Sequence, residues 1–271
     1  MSRSIVFLSD FGYRNEWVGI CHVVINRLAP ESTVIDLSHG VPPLDVRAGA
    51  LVLADSLPYI RHDAIVLGVV DPSVGRDRDL AVETGDGRLL VGPDNGLLAP
   101  SWRAAGGAVR AVSITSSQIV LEPVSPSLHA RDVLAPAAAH LAKGGALEDL
   151  GEPVDVASLA GLRIPDPNVE QGKIECEVLD LNRFGNVQLN VRSSHLAAAG
   201  LDRAERIAVA SQAGEGFARQ VSTYADLEGD EWGLMVDPRG WLSVIRENPH
   251  NAAADLAVGT GDLVWLTTVR E

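Results

Sequence analysis

The stretch 64–70 (AIVLGVV) constrains the fold most, because seven consecutive residues offer no polar side chain before Asp71-Pro72 closes the run. A strand with one wet face alternates polar and apolar residues. A strand without alternation must be covered on both faces, as in a parallel sheet between layers of helix. Residues 4–9 (SIVFLS) and 33–37 (TVIDL) are further short apolar runs. Between these, residues 16–28 place Trp17, Val18, Cys21, Val24, Ile25 and Leu28 at helical spacing. Residues 45–57 predict a second helix with Asp45 as its N-cap. Residues 80–84 and 88–91 flank Gly85-Asp86-Gly87, which predicts a hairpin. Residues 132–143 read as another helix, stopped by Gly144-Gly145. Strand and helix in alternation predict an α/β domain over 1–150 with a largely parallel sheet.

After Leu150 the pattern changes. The proline-bearing stretch 151–168 lacks periodicity and reads as a linker. Short alternating runs then follow at 174–181, 186–191, 206–210, 233–236, 241–245 and 263–268. They predict a smaller all-β, barrel-like domain over 169–271.

Charge narrows the partners. Thirty-six acidic against 22 basic residues give a formal charge of −14, which repels phosphate backbones and argues against nucleic acid, but not against a cationic small molecule. No apolar run approaches the roughly 20 residues that cross a bilayer. The N-terminal apolar run, 5–8, is too short for a signal peptide, so a cytoplasmic protein is expected. Cys21 and Cys176 stand far apart with no His or Cys at metal spacing, which predicts two buried, inert thiols rather than a disulfide or zinc site.

Polar residues collect where apolar runs end: Ser9-Asp10-Phe11-Gly12, Asp36 to Gly40, and Asp71 to Arg76. Ligands of open parallel sheets sit outside the carboxyl ends of the strands, so Asp10 and Asp71 are candidates for one site. The same residues also suit helix caps and turns. His129 precedes the helix at 132–143, and with Asp71 and Arg76 it could hold a polar nucleophile such as water. Residues 183–186 (RFGN) and 237–240 (DPRG) read locally as turns between strands.

Six motifs occur together and in order: SDFG at 9, VVDPSVGR at 69, GPDNGLL at 92, SLHARD at 127, RFGN at 183 and ENPHNAA at 247. In this combination the chain resembles the S-adenosyl-L-methionine hydroxide adenosyltransferases, relatives of the fluorinase and chlorinase enzymes, over essentially its whole length. The resemblance implies a homotrimer with active sites between neighbouring subunits. It also implies hydrolysis of S-adenosyl-L-methionine to adenosine and L-methionine, by attack of water or hydroxide on the ribose 5′ carbon. Asp71, Arg76 and His129 match the family's water-holding set, and the fluorinase branch has a Tyr where Asp71 stands. Asp10 is then expected on the ribose hydroxyls, Asn186 and the backbone of Arg246 to Asn248 on the adenine edge, and Tyr224 stacked on adenine. Arg239 is expected at the methionine end. Asn15, Asn182 and Asp237-Pro238 depart from the family pattern near that end, with Asp180 as a substitute for the acid missing at Asn182. A sulfonium leaves without acid assistance, so no cofactor and no metal are expected. The alternatives are a chloride-using adenosyltransferase, disfavoured by the charge of Asp71, and a non-catalytic adenosine or S-adenosyl-L-methionine sensor, which has no use for the water-holding set.

Overall fold

The computed structural model describes residues 2–247 and 250–269, and the chain divides into two compact units, 1–162 and 163–271. In the first unit, β1 (Ile5–Ser9), β2 (Val34–Ser38), β3 (Ile65–Val69) and β5 (Leu89–Pro93) form a parallel block in the order β2-β1-β3-β5. The strands β4 (Asp79–Thr84), β6 (Ala108–Ile114) and β7 (Gly151–Pro153) extend it antiparallel, with β4 and β5 as the expected hairpin. Alternate side chains of the block feed two cores. Ile5, Phe7, Ile65 and Leu67 pack with α1 (Trp17–Leu28) and α4 (Ala135–Ala142), while Val6, Leu8 and Val66 pack with α2 (Val46–Ser56) and α3 (Ala99–Ala104). Burial on both faces is why β1, β3 and β5 contain no polar alternation, whereas the edge strand β2, which carries Asp36, is partly exposed.

Because α1 and α2 cover opposite faces, the chain leaves β1 and β3 in opposite directions. The carboxyl ends of these adjacent strands therefore form a topological switch point, where a crevice opens. The Asp45 side chain caps α2 by accepting the Ala48 amide at 2.9 Å. The helix expected at 132–143 begins earlier, as a π-helical turn over Ala130–Leu134 that runs into α4.

The stretch 151–168 is not a free linker. β7 pairs with β6, Asp94 Oδ1 accepts the Ala160 amide at 2.7 Å, and Arg103 donates to Leu162 O at 2.6 Å. It holds only a short 3-10 turn, Val156–Ser158, and side chains of the first unit satisfy part of its backbone. From Arg163 on, the chain belongs to the second unit, where Asn190 donates to Pro165 O.

The second unit closes on itself. β9 (Lys173–Leu181), β10 (Val187–Leu189), β11 (Ile207–Ala210), β12 (Glu215–Val221), β13 (Trp232–Val236), β14 (Leu242–Arg246) and β15 (Leu263–Thr268) form a seven-stranded barrel in the order β9-β10-β14-β13-β12-β11-β15, returning to β9. The short β8 (Asn168–Glu170) pairs with the outside edge of β9. Ile174, Cys176, Val178, Val209, Leu234, Val244 and Leu266 fill the interior, joined by Leu196 of α5 (Ser193–Ala198) and Leu256 of α6 (Ala252–Leu256). Both cysteines are free and buried. Burial pushes the Cys21 thiol up to about 12 and the Cys176 thiol up as well, so neither is a nucleophile at neutral pH.

Candidate active site

At the switch point of the first unit, a cavity of about 320 Å³ is lined by Asp10, Phe11, Trp17, Leu44, Asp71 and His129, among others. Asp10 follows β1, Asp71 follows β3, and His129 comes from the N-terminus of the π-helical turn. The fold thus gathers three of the expected residues from positions up to 119 apart in the chain.

Each is held by a short contact. Asp10 Oδ2 accepts the Leu44 amide at 2.7 Å, and Leu44 has a left-handed backbone with φ 64°. Asp71 Oδ1 accepts the Ser73 amide at 2.9 Å. His129 Nδ1 lies 2.7 Å from Asp79 Oδ2. An ionised carboxylate only accepts, so Nδ1 is the protonated nitrogen of the pair, and in the neutral ring Nε2 keeps its lone pair. His129 Nε2 lies close to the turn after Asp71, where a Cβ on Gly75 would stand 3.9 Å from it. Burial pushes the Asp71 carboxyl up from the ordinary carboxylate range. The Ser73 amide and His129 oppose that shift, and the negative charges of Asp77 and Asp10 add to it. Asp79, at 8% exposure, is also pushed up by burial, against the pull of His129.

Two placements differ from expectation. Arg76 is exposed, and no ion pair joins it to Asp71 among the described residues; the Ser73 amide holds that carboxylate instead. Two residues on, Arg78 is the arginine anchored beside this turn, binding Asp94 Oδ2 at 2.5 Å. Asn15 is exposed and outside the cavity wall, where Trp17 stands. Asp79 was missed by the sequence reading. Its one signal is an acid that opens the strand DLAVET directly before the apolar run 80–82, and it ends up buried.

The second unit carries two neighbouring hollows that share Asn186 and Tyr224. One, of about 330 Å³, is walled by Phe184, Arg246, Glu247 and His250 as well. Gly185 turns the chain between its aromatic and its amide at φ 79°, where a Cβ would collide with the Asn251 side chain. Asn186 Nδ2 donates to Tyr224 Oη at 2.6 Å. The Arg246 guanidinium is committed to Asp255 and to Asp230 O, which leaves its backbone for the hollow. Asn248 lies outside the described residues.

The other hollow, of about 340 Å³, is charged: Asp180, Asp237 and Arg239 line it with Asn182, Gln188 and Pro238. Arg239 Nη1 is 3.8 Å from Asp180 Oδ2. Asn182 Oδ1 accepts the Phe184 and Asn186 amides, so this residue shapes the RFGN turn rather than presenting a free acceptor. Asp237 accepts from the Gln188 side chain and from the Arg239 and Trp241 amides. Opposite charges on one wall suit a zwitterion, and a flat apolar slot beside it suits a base.

Known proteins share this architecture. The description SAM hydroxide adenosyltransferase N-terminal domain matches residues 5–151, and that of the family's C-terminal domain matches 176–265. A Salinispora tropica protein named (R)-S-adenosyl-L-methionine hydrolase is 41% identical over 264 residues, covering 97% of each chain. A fluorinase from an Actinoplanes species is 23% identical, covering 94% of this chain and 96% of its own. The crystal structure of an uncharacterized conserved protein from Thermotoga maritima superimposes with a TM-score of 0.89 at 29% identity, covering 97% of this chain and 99% of that one. With matches across both halves and a hydrolase relative over nearly its full length, the chain belongs to the S-adenosyl-L-methionine hydroxide adenosyltransferase family.

Proposed function

We propose that the protein hydrolyses S-adenosyl-L-methionine to adenosine and L-methionine, with the (R) configuration at sulfur that the name of its 41% identical relative specifies. The observation that carries the mechanism is the His129–Asp79 contact beside Asp71. Water held by Asp71 and His129 attacks the 5′ carbon in line with the sulfonium. The new C–O bond forms as the C–S bond breaks, the bonding pair moves to sulfur to give the neutral thioether of methionine, and the water proton passes to His129 Nε2. Asp79 stabilises the imidazolium that results, as a buried carboxylate does for a catalytic histidine. Because the leaving group departs neutral, the step requires no general acid, metal or cofactor.

Within this reading Asp10 takes the ribose hydroxyls. Tyr224, Phe184 and Asn186 hold adenine, and Arg239 with Asp180 and Asp237 holds the methionine carboxylate and ammonium. Arg76 serves by its positive charge rather than by orienting Asp71. The assembly is a homotrimer, as the resemblance implies, which light scattering tests. No described helix is long and apolar enough to cross a membrane.

The direct test supplies each sulfur epimer in ¹⁸O-water. Adenosine labelled at the 5′ oxygen, formed faster from the (R) epimer, is expected. A 5′-chloroadenosine product in chloride buffer would make the protein a chlorinase, and binding without turnover would make it a sensor.

A further inference from the structure

Outside the catalytic cavity, three ligand-type side chains converge at the carboxyl ends of β1 and β2. His22 Nε2 of α1 lies 2.7 Å from Asp36 Oδ1, and His39 Nε2 lies 3.1 Å from that same oxygen. All three ligand atoms fall within 4.8 Å of one another, and none of the three residues lines the cavity. The sequence shows no metal spacing here, because His22 lies on α1 and Asp36 on β2, 14 positions further along the chain.

A hydrogen-bonded cluster accounts for only part of this geometry. The His39 side chain is fully buried, yet its Nε2 has no hydrogen-bond partner: Asp36 Oδ1 is near it but off the line a hydrogen bond requires. The other ring nitrogen is fixed from behind, with Ser9 Oγ 2.7 Å from His39 Nδ1. Phe7 and Tyr13 meet the ring edge-on at centroid distances of 4.6 and 5.3 Å, so it cannot swing to another partner. One carboxylate oxygen therefore faces two imidazole nitrogens, one of them locked, buried and without a well-aligned hydrogen bond. A bound cation satisfies all three atoms at once.

We propose that His22, Asp36 and His39 form a binding site for a borderline divalent transition metal of the Zn²⁺ class, with a fourth position open to water. Two imidazoles and one carboxylate match the ligand preference of Zn²⁺. Ligand bonds of about 2.0–2.1 Å place tetrahedral ligands about 3.3 Å apart. His39 and Asp36 already have nearly that separation, and His22 needs an outward shift of about half an ångström from a side chain one-third exposed on its helix. Ser9 Oγ is the outer-shell group that can accept from His39 Nδ1, the tautomer that frees Nε2 for a metal. The metal takes no part in the displacement reaction. It ties α1 to the end of β2, next to the chain segment where the Gly12 amide donates to His39 O.

The test uses the full-length protein after chelator treatment, titrated with Co²⁺ and then with Zn²⁺. One Co²⁺ per chain is expected, with the visible absorption of a four-coordinate site, displaced by stoichiometric Zn²⁺ and accompanied by a rise in Tm. His22→Ala should weaken binding at least tenfold and abolish the Tm rise, and Ser9→Ala should weaken it about tenfold. His22 lies on a partly exposed helix face, so its variant keeps the test interpretable if Asp36→Asn or His39→Ala fails to fold. Absence of stoichiometric binding to the wild type, or binding unchanged in His22→Ala, overturns the proposal.

Discussion

Asp71 serves two opposing demands. Burial and the nearby charges of Asp77 and Asp10 favour its protonated form, yet the proposed orientation of water requires the ionised one. For an acid whose folded pKa is raised, the folded state binds more protons than the unfolded state between the two values. Stability therefore falls as pH rises from the ordinary Asp range through the folded value, and the cost remains at neutral pH. Asp71→Asn should accordingly raise Tm by about 2 °C at pH 7, and make Tm less sensitive to pH across the mildly acidic range. Turnover should drop by at least two orders of magnitude. A calorimetric scan and a steady-state assay read both quantities. A Tm that falls at pH 7 means the carboxylate is a net stabiliser. Asp79→Asn separates positioning from contact. The amide can donate to His129 Nδ1 and move the ring proton to Nε2, which removes the base without touching substrate. We expect kcat to fall by about 10²–10⁴ with adenosine affinity unchanged. An equal loss in affinity would make Asp79 merely structural.

The turn between β3 and β4 and the π-helical turn before α4 are the elements that make the site, and they differ in how far the sequence exposes them. Gly75 holds φ 77°, and a Cβ there would sit 3.0 Å from Pro126 O of the segment that carries His129. Gly75→Ala should therefore cost about 1 kcal/mol in stability and pull Asp71 away from His129. The expected result is a kcat loss larger than any change in KM, with a wild-type KM and kcat refuting the coupling. Legibility follows the same physics. The runs in β1 and β3 are plain because burial on both faces leaves no polar residue to obscure the period, and the hairpin of β4 and β5 is plain from its Gly85-Asp86-Gly87 turn. β6 was not read as a strand, since Val109 is half exposed and Arg110 pairs outward with Glu83 and Glu148. β12 was missed for a similar reason: of its side chains Ala218 is buried while Phe217 is exposed. Asp10, Asp71 and His129 were legible as strand and helix ends. Asp79 and the cluster of His22, Asp36 and His39 were not, because each depends on contacts between elements that no local spacing encodes.

At the scale of the whole molecule, charge acts on the substrate before any contact does. The chain carries a formal −14, and S-adenosyl-L-methionine, with one sulfonium, one ammonium and one carboxylate, carries +1. A net attraction of this kind raises the local concentration of the substrate and its rate of capture, and it is screened over about 10 Å at 0.1 M ionic strength. Adenosine is neutral and feels none of it. We therefore expect kcat/KM to fall about two- to fivefold as ionic strength rises from 0.02 to 0.5 M, while the Kd of adenosine stays constant. The identity of the salt adds a second reading. Sodium chloride and sodium acetate should produce the same decline, because a cavity that contains Asp10 and Asp71 admits neither anion as a nucleophile. A chloride-specific gain in rate would show that a halide reaches the 5′ carbon despite both carboxylates. A flat response to either salt would confine electrostatic recognition to the charged hollow of Asp180, Asp237 and Arg239, where opposite charges already cancel at long range.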